Sequence, residues 1–590
     1  MAKRTPVSVN VLSPSELAAK NLGPLVLANP ILERMDIRRI VNLHCPGDQR
    51  LEIPIGDIIF ALVANRLCSP EPLYHVGDWA EYSGAEFLLG TPADALNDDR
   101  LARALDAVFP RRWEILADIA LHVSKRFNVG LGKVHYDPTS FHFTGEYDEQ
   151  SESPSLVPEL KPFKIEVGRH AQPGDDIKEA QVGVNLANDG KGPVPFFYHS
   201  ADGSANHHTA VAKNLQHMLK YVKPKRLIMV TDRGCFSAEH AVTIVKTHHF
   251  HFISSITWTE ELAKLYDKTK PGMKKASFLS LKEKRKRELG KPEETWERYS
   301  IAEIPYKITF ENREEEESED SSGKKTKKVK KTKESIRARL VFVHSTADMK
   351  VCRKTRDKYT KRIREGLEQI QRSVENGYLK EEEAVIRKIN LLYGKKQARN
   401  YFTYEVAKLT AKEIRSLPPR RRGQRKRTLK FSFQYHPKIA KKDAKYDGLY
   451  AICTSLPKKA HSTDNVFTSF KEQHHVETAH RKWKNPIRLR PLFLKRATRI
   501  ESLILVQFLA LMGFYLLQRR YRQAKGPSCR TTAETLLKRF ALCGIGVRYT
   551  QRSVNVTPFA LKQPQESVLK TLRFPHPQEQ IRSHVALPSD

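Results

Sequence analysis

The sequence predicts an α/β fold in which a mixed-sheet core is interrupted by a large insertion domain and preceded by a helical N-terminal domain. Three observations predict this fold. Apolar residues recur at helical spacing through residues 1–125, short apolar runs separated by turns follow over 126–260, and a strongly charged stretch over 261–430 separates those runs from similar ones in 431–525. Residues 526–590 form a C-terminal tail in which no residues indicate chemistry.

The N-terminal domain contains one well-marked helix start. Asn97-Asp-Asp precedes Leu101, Leu105 and Val108, which are spaced for one face of a helix, and Pro110 follows them. Asn is a favoured N-cap residue, and proline cannot continue a helix. We expect this domain to contact DNA or to pair two subunits.

The core combines strands with a β-α-β rhythm. An apolar run at 226–232 precedes a helix-like stretch, Ser237–Thr247, and a further strand at Phe250–Ser254. The other predicted core strands are Gly132–Asp137, Ala180–Leu186, Pro193–Tyr198, Leu429–Phe433 and Tyr446–Thr454. A helix near Asp464–Lys484 is expected to stop at Asn485-Pro486.

Charge dominates the insertion. Glu314–Glu317 and Lys324–Lys333 are runs of like charge, which repel themselves out of compact structure, so we interpret both as a mobile loop. Strands are predicted at Tyr299–Phe310 and Arg337–Val343, and a long helical zone at Asp357–Ala411. The Pro418–Arg427 segment marks the exit.

The composition restricts the partners and the compartment. Lys+Arg 103 against Asp+Glu 67 gives a formal net charge of +36, which favours a polyanion such as nucleic acid, with anionic membrane as the rival partner. Seven cysteines without a Cys-x-x-Cys pair indicate neither a disulfide framework nor a zinc knuckle, so the protein is expected to be cytoplasmic. The apolar Leu503–Leu517 stretch is shorter than a membrane span, and a buried core helix over Arg499–Tyr521 is expected.

Three acidic residues are the candidates for chemistry. Asp137 and Asp232 each follow a predicted strand, so their carboxylates can converge on one edge of the sheet, and Glu477 lies on the late helix. Mg²⁺ prefers a few carboxylate ligands, and two such ions support in-line phosphoryl transfer. The plainer readings are a turn residue at Asp137, a helix cap at Asp232 and a solvated pair of Glu477 with Arg481.

The neighbours of Glu477 define one helical stripe. Spacing of three and four residues places Gln473, Arg481 and Lys484 on or beside the Glu477 face, together with Phe470 and His480. A carboxylate flanked by basic residues can hold a metal while its neighbours hold phosphates.

These motifs resemble a known family. Asp137-Pro-Thr-Ser-Phe, Thr231-Asp232-Arg-Gly and Phe470–Lys484 are similar to the DDE transposases of bacterial insertion sequences, in particular the IS-four group with its Tyr-x2-Arg-x3-Glu-x6-Lys signature. Glu477 and Lys484 match this signature, whereas Phe470 and Gln473 replace its Tyr and Arg. The resemblance covers most of residues 1–525 and extends to Asp447-Gly448 and Leu489-Arg490-Pro491.

The resemblance implies an RNase H-like core and a specific activity. Asp137, Asp232 and Glu477 would be the catalytic ligands of two Mg²⁺ ions, with Mn²⁺ as a substitute. Lys484, Arg481, Arg233 and Gln473 would contact phosphate. The enzyme would cleave double-stranded DNA at transposon inverted ends and join those ends to target DNA, as a homodimer at the bacterial nucleoid and without a membrane. Two alternatives stay open: a catalytically inactive, transposase-derived DNA-binding protein, and another RNase H-like nuclease.

Overall fold

The chain is divided into two compact units in the computed structural model. The first unit comprises Met1–Ser254, Ile308–Ile336 and Ser469–Asp590, and the second comprises Ser255–Lys307 and Arg337–Thr468. The structure describes residues 17–47, 53–143, 147, 161–168, 177–319, 325–394, 397–418, 425–485, 487, 494–549 and 554–582. The predicted α/β class, with a mixed sheet and a helical N-terminal region, is confirmed.

Helices make up most of the N-terminal region, as predicted. Asn97 caps its helix by accepting a hydrogen bond from the Arg100 amide at 2.9 Å, and Pro110 lies in the 3₁₀ turn Phe109–Arg111 that follows. The elements are β1 (Leu17–Lys20), α1 (Leu25–Glu33), α2 (Ile37–His44), α3 (Ile55–Cys68), α4 (Val76–Ser83), α5 (Glu86–Leu89), α6 (Asp98–Val108) and α7 (Arg112–Arg126).

The sheet of the first unit is mixed. The elements are β2 (Lys133–Phe143), β3 (Glu166–Val167), β4 (Lys178–Ala187), β5 (Val194–Asp202), α8 (His207–Tyr221), β6 (Ile228–Thr231), α9 (Ala238–Val242) and β7 (His251–Ile256). Its strand order is β5-β4-β2-β6-β7, with β3 also paired to β4. The pairs β5-β4 and β4-β2 are antiparallel, whereas β2-β6 and β6-β7 are parallel. The strand β2 therefore lies in the middle, between the two types of pairing.

The second unit has its own strands and its own apolar core. Its elements, with the hairpin residues 308–336 that group with the first unit, are α10 (Glu260–Thr269), β8 (Lys274–Lys275), α11 (Leu281–Glu288), β9 (Tyr299–Glu319), β10 (Lys325–Ser345), α12 (Thr346–Glu375), α13 (Glu382–Tyr393), β11 (Phe402–Lys408), α14 (Ala411–Arg415), β12 (Leu429–Tyr435), α15 (Pro437–Ala444) and β13 (Leu449–Thr454). The strand β11 interrupts the predicted helical zone because it pairs with β12, and Leu367, Ile389 and Leu429 are buried in the core around them.

The second unit also extends further than the predicted insertion. Residues 431–468 were assigned to the second part of the catalytic core, but they group with the insertion up to Thr468. The strand β13 pairs with β10, and β12 pairs with β11, so both strands belong to this unit. Alternation of apolar residues predicts a strand without indicating its partner, which explains the difference.

The prediction of a mobile loop for the two charge runs is wrong for the described residues. The backbone is strand as far as Glu319 and again from Lys325, and β9 and β10 are neighbours in a sheet. The pairing brings an acidic segment alongside a basic one, and attraction between opposite charges stabilises neighbouring strands. Repulsion within each run was considered alone in the prediction.

The predicted helix at Asp464–Lys484 is two helices. The helix α16 spans Thr463–Lys471 and α17 spans His474–Lys484. The break at Glu472 and Gln473 places the amide of Gln473 against the carbonyl of Phe470 at 3.0 Å, a tight turn that an uninterrupted α-helix would not contain. Residues 486 and 488–493 lie outside the described part, and Leu489-Arg490-Pro491 is among them.

A long apolar helix, α18 (Ala497–Lys525), forms the centre of the first unit. The helix has 29 residues, long and apolar enough to cross a membrane, but its apolar window is entirely buried within the protein. The helix contacts α3, α6 and β5. The predicted core helix is therefore confirmed, although it is longer than the Leu503–Leu517 run indicated.

The C-terminal tail is folded. Its elements are α19 (Ala533–Arg539), β14 (Ile545–Tyr549), β15 (Val554–Pro558), α20 (Gln563–Leu572) and α21 (Pro577–Arg582). The strand β14 lies between β1 and β15 in an antiparallel sheet, and Gln580 donates to the carbonyl of Val26 at 3.2 Å. The tail thus packs on the start of the chain, over a sequence separation that local patterns do not reveal.

Candidate active site

Asp137 and Asp232 occupy matching positions on two neighbouring strands. The strands β2 and β6 are parallel, and their register pairs Lys133 with Ile228 and His135 with Val230, a constant offset of 95 residues. The same offset relates Asp137 to Asp232, which is one residue beyond the end of β6. Adjacent strands lie about 4.8 Å apart, so the register brings both residues to the same edge of the sheet.

The helix α17 brings Glu477 to the same face of the sheet. Side chains alternate along a strand, so Asp137, Thr139 and Phe141 share one face of β2. Trp483 of α17 is fully buried, and its ring meets the ring of Phe141 edge-on at 5.6 Å. The helix therefore packs on the Asp137 face with Trp483, while Glu477 stays exposed.

The three carboxylates interact electrostatically. The pKa of Asp137 is raised to about 7, first because the group is buried and then because of the charges of Asp232 and Glu477, while Lys484 acts in the opposite direction. The Asp137 side chain is 28% exposed. Accumulated negative charge in a partly buried place is the environment that a divalent cation neutralises.

Lys484 and His480 complete the surroundings of Asp137. The Nζ of Lys484 donates to Thr139 Oγ1 at 2.7 Å and lies 5.8 Å from the centre of the Phe141 ring. The Nδ1 of His480 lies 3.6 Å from Asp137 Oδ2. Burial and then the charge of Lys484 lower the pKa of His480 to about 3, so this imidazole is neutral. Asp137 is thus approached by one cation and one neutral ring.

Gln473 is held inside the protein. Its Nε2 donates to the carbonyl of Tyr136 at 2.8 Å, and its Oε1 lies 3.0 Å from His135 Nδ1. Beside it, Glu472 forms an ion pair of 2.6 Å with Lys133. The break between α16 and α17 therefore tethers α17 to β2 at the residues directly before Asp137. The amide of Gln473 positions this segment, and its predicted contact with phosphate stays a prediction.

Arg481 and Arg233 are exposed. A guanidinium nitrogen of Arg481 donates to Thr478 at 3.1 Å, one helical turn earlier. The backbone amide of Arg233 donates to Asp232 Oδ1 at 2.7 Å, so Asp232 also caps the 3₁₀ turn Arg233–Cys235. The capping role predicted as the plainer reading of Asp232 is therefore present, and it leaves the second carboxylate oxygen outside this contact.

Two neighbours of the carboxylates were not assigned a role from the sequence. His480 was placed on the correct helical stripe without a partner, and Cys235 was not considered. Cys235 is buried, and burial and then the charges of Asp137 and Asp232 raise its pKa, so the thiol stays protonated. The spacing Asp232-x-x-Cys235 was the available signal, since the capped turn returns the chain toward the aspartate.

Carboxylate oxygens are the ligand type that Mg²⁺ requires, and the charge accumulated at Asp137 fits a cation. Within the described residues, however, no group of three or more His, Cys, Asp and Glu side chains is already arranged to hold a metal ion. The residues fit the ion in chemistry, whereas a complete set of protein ligands is not preformed. Mg²⁺ tolerates this, because it usually retains several waters and takes few carboxylates.

Comparisons with known proteins bear on the N-terminal region. A family model described as a domain of unknown function, DUF4277, matches residues 17–121, which span β1 to most of α7. No curated protein matches the chain. The carboxylates lie outside the matched residues.

Proposed function

We propose that the protein is a DDE transposase that performs metal-dependent cleavage of DNA at the ends of its own mobile element and joins those ends to target DNA. The observation that carries this proposal is the meeting of Asp137, Asp232 and Glu477. The register of β2 and β6 aligns the first two, and the charge of each of the other two raises the pKa of Asp137. Clustered carboxylates of this kind are typical of metal-assisted phosphoryl transfer.

The sheet of the first unit supports the finer proposal of an RNase H-like core. Such a core has three antiparallel strands continued by two parallel ones, and the order β5-β4-β2-β6-β7 has that pattern of directions. The first core strand, β2, and the next parallel strand, β6, then supply the two aspartates. A long insertion between β7 and α17 accounts for the distance in sequence to Glu477.

Each residue of the site has a proposed role. Asp137, Asp232 and Glu477 bind two Mg²⁺ ions, for which Mn²⁺ can substitute. When bound, these ions activate a water or a 3′ hydroxyl and stabilise the departing oxygen. Lys484 is positioned beside Asp137 to attract a DNA phosphate, and Arg481 and Arg233 offer exposed guanidinium groups near the same residues. Gln473 and His480 hold β2 and α17 together.

The partner follows from charge and from the chemistry of the reaction. A formal net charge of +36 favours binding to double-stranded DNA through its phosphates. Two element ends are processed together, so the active complex contains at least two copies of the chain. The N-terminal helices are the proposed surface for DNA or for the second copy, and the bacterial nucleoid is the proposed location.

Cleavage of cognate DNA tests the proposal. The substrate is a duplex that carries the inverted repeat flanking the gene, and the products are resolved on a denaturing gel with Mg²⁺, with Mn²⁺ and with EDTA. We expect metal-dependent nicking at the repeat boundary, which Asp232→Ala abolishes and which Glu239→Gln, an exposed acid of α9, retains. Undiminished cutting by Asp232→Ala would reject the assigned roles.

One observation favours a second candidate, a transposase-derived protein that binds DNA without cleaving it. Gln473 stands where the signature has a phosphate-binding Arg, and its amide is engaged with His135 and Tyr136. A protein that shifts the terminal duplex in a gel but never nicks it with either metal supports this candidate. Nicking without joining to a target supports another RNase H-like nuclease.

A further inference from the structure

The first unit contains a second polar cavity, which the carboxylate chemistry does not use. Its volume is about 520 Å³, and its walls come from the β5 edge of the sheet, from α7, α8 and α18, and from residues 161–164. Pockets of 300–1,000 Å³ hold small organic ligands. The size therefore suits a ligand as large as a nucleotide.

Buried polar atoms face this cavity without partners. His199 is 5% exposed, and among the described residues neither of its ring nitrogens has a hydrogen-bond partner. The indole nitrogen of Trp113, which is 3% exposed, also has none in that part of the chain. A buried polar group without a partner costs about 1–3 kcal/mol, so such groups are usually explained by a bound partner.

The walls are positively charged. Arg112 and Glu501 are both buried and form an ion pair of 3.1 Å, and Ser200 Oγ donates to Glu501 at 2.5 Å, so their charges cancel. Four lysines remain in the lining against the single carboxylate of Asp202: Lys161, Lys164, Lys213 and Lys220. This excess attracts an anion and repels a metal cation.

The state of His199 agrees with an anionic ligand. Burial and then the positive surroundings of His217, Lys213 and Arg112 lower the pKa of His199 to about 3. The neutral ring carries one N–H, which can donate to an anionic oxygen. Trp113 offers a second buried N–H, because an indole nitrogen only donates.

The cavity is separate from the carboxylate site. The register pairs Asp137 with Val184 and Val184 with Tyr198, so Asp137 and Tyr198 lie on the same face of the sheet. His199, the next residue of β5, points to the other face, where its ring meets that of His217 of α8 at 4.8 Å. Two strands and the thickness of the sheet therefore lie between the two sites.

We propose that this cavity binds a phosphate group, carried by a nucleotide or by the end of a nucleic acid, through the N–H groups of His199 and Trp113 and the surrounding lysines. The site does not depend on the proposed transposase activity, because it shares no residue with the carboxylates. Phosphate suits the lining because it offers several acceptor oxygens to donors on different walls.

Calorimetric titration at pH 7 tests this proposal with three probes: inorganic phosphate, 2′-deoxyadenosine 5′-monophosphate and a short 5′-phosphorylated oligonucleotide. The probe that binds most tightly identifies the source of the phosphate, and unphosphorylated deoxyadenosine should not bind. Replacing His199 by Phe keeps a ring and removes both nitrogens, and we expect it to weaken binding at least about tenfold. The exposed pair Lys164→Gln and Lys213→Gln should weaken binding similarly without disturbing the fold.

Two control variants separate this site from other sources of binding. Lys225→Gln removes an exposed lysine of the same unit outside the cavity, and Asp137→Asn alters the carboxylate site. Both should bind the probes like the unaltered protein, so failure of the transposase proposal would leave this result intact. Equal binding by the His199→Phe protein and by the double lysine variant, or no binding of any phosphate probe, would overturn the proposal.

Discussion

Asp137 and Asp232 are at equivalent levels of two hydrogen-bonded parallel strands, with the offset of 95 residues that relates every recorded β2-β6 pair. The two carboxylates are therefore placed by backbone pairing and do not depend on a flexible loop. The charge of Asp232 contributes directly to the raised pKa of Asp137. This relationship leads to predictions about stability, metal binding and activity.

Replacing Asp137 by Asn should stabilise the metal-free protein at pH 8. The pKa of Asp137 is about 7 in the folded protein against 3.8 ordinarily, because of burial and the charges of Asp232 and Glu477. The charged carboxylate therefore opposes folding, fully above pH 7 and not at all below about pH 4. Allowing for residual exposure, we expect a gain on the order of 2 kcal/mol in urea unfolding with EDTA at pH 8. A gain that is equal at pH 4 and pH 8 would contradict this origin.

Metal binding should depend on pH in the opposite sense. Protons compete with a cation for Asp137 below its pKa of about 7, so Mn²⁺ should raise the melting temperature more at pH 8 than at pH 6. Asp232→Asn should remove most of this stabilisation, whereas Glu239→Gln should retain it. Differential scanning fluorimetry over a Mn²⁺ series measures both. The same shift in all three proteins at both pH values would indicate binding elsewhere.

Restoring the signature arginine at position 473 should harm this protein. Gln473→Arg removes the acceptor for His135 Nδ1 and adds a charge beside buried His135 and near Lys133. We expect a loss of about 1–3 kcal/mol in the free energy of unfolding and lower cleavage activity. Glu472→Lys, a charge change on the exposed side of the same turn that breaks the pair with Lys133, is the comparison for a purely electrostatic effect. Higher activity in Gln473→Arg would show that position 473 contacts phosphate.

A buried ion pair fixes α18 against the loop after β4. Arg519 is 3% exposed and donates to both carboxylate oxygens of Asp189 at 2.7 and 2.8 Å. Burial alone would raise the pKa of Asp189, but Arg519 and the amides of Gly130 and Lys191 lower it to about 2. Stability from this pair is therefore present above about pH 4 and is lost as the pH falls toward 2.

Asp189→Asn tests the importance of that pair. The variant leaves the Arg519 charge buried without its counterion, which typically costs about 3–5 kcal/mol. Urea unfolding at pH 7 measures this loss, and Asp202→Asn, a less buried acid at the end of β5, provides the comparison. Losses of equal size in the two variants would show that the pair has no special role.

The features that could be predicted from sequence are local ones. The Asn97 cap, the core helix α18 and the strands before Asp137 and Asp232 each rest on a spacing or a residue type within a few positions. The break before α17 could not be predicted, because it depends on contacts of Gln473 with His135 and Tyr136, more than 300 residues earlier. The pairing of β1 with β14 and the strands that contain the charge runs are tertiary for the same reason.

The most direct measurement of the central claim is anomalous diffraction from crystals of the protein soaked in MnCl₂ at pH 8. The account predicts at least one Mn²⁺ peak within direct coordination distance of both Asp137 and Asp232, about 2.0–2.3 Å from the oxygens, with Glu477 in its shell directly or through a water. The peak should disappear in the Asp232→Asn protein. Mn²⁺ bound only at other places, with these carboxylates contacting none, would contradict the account.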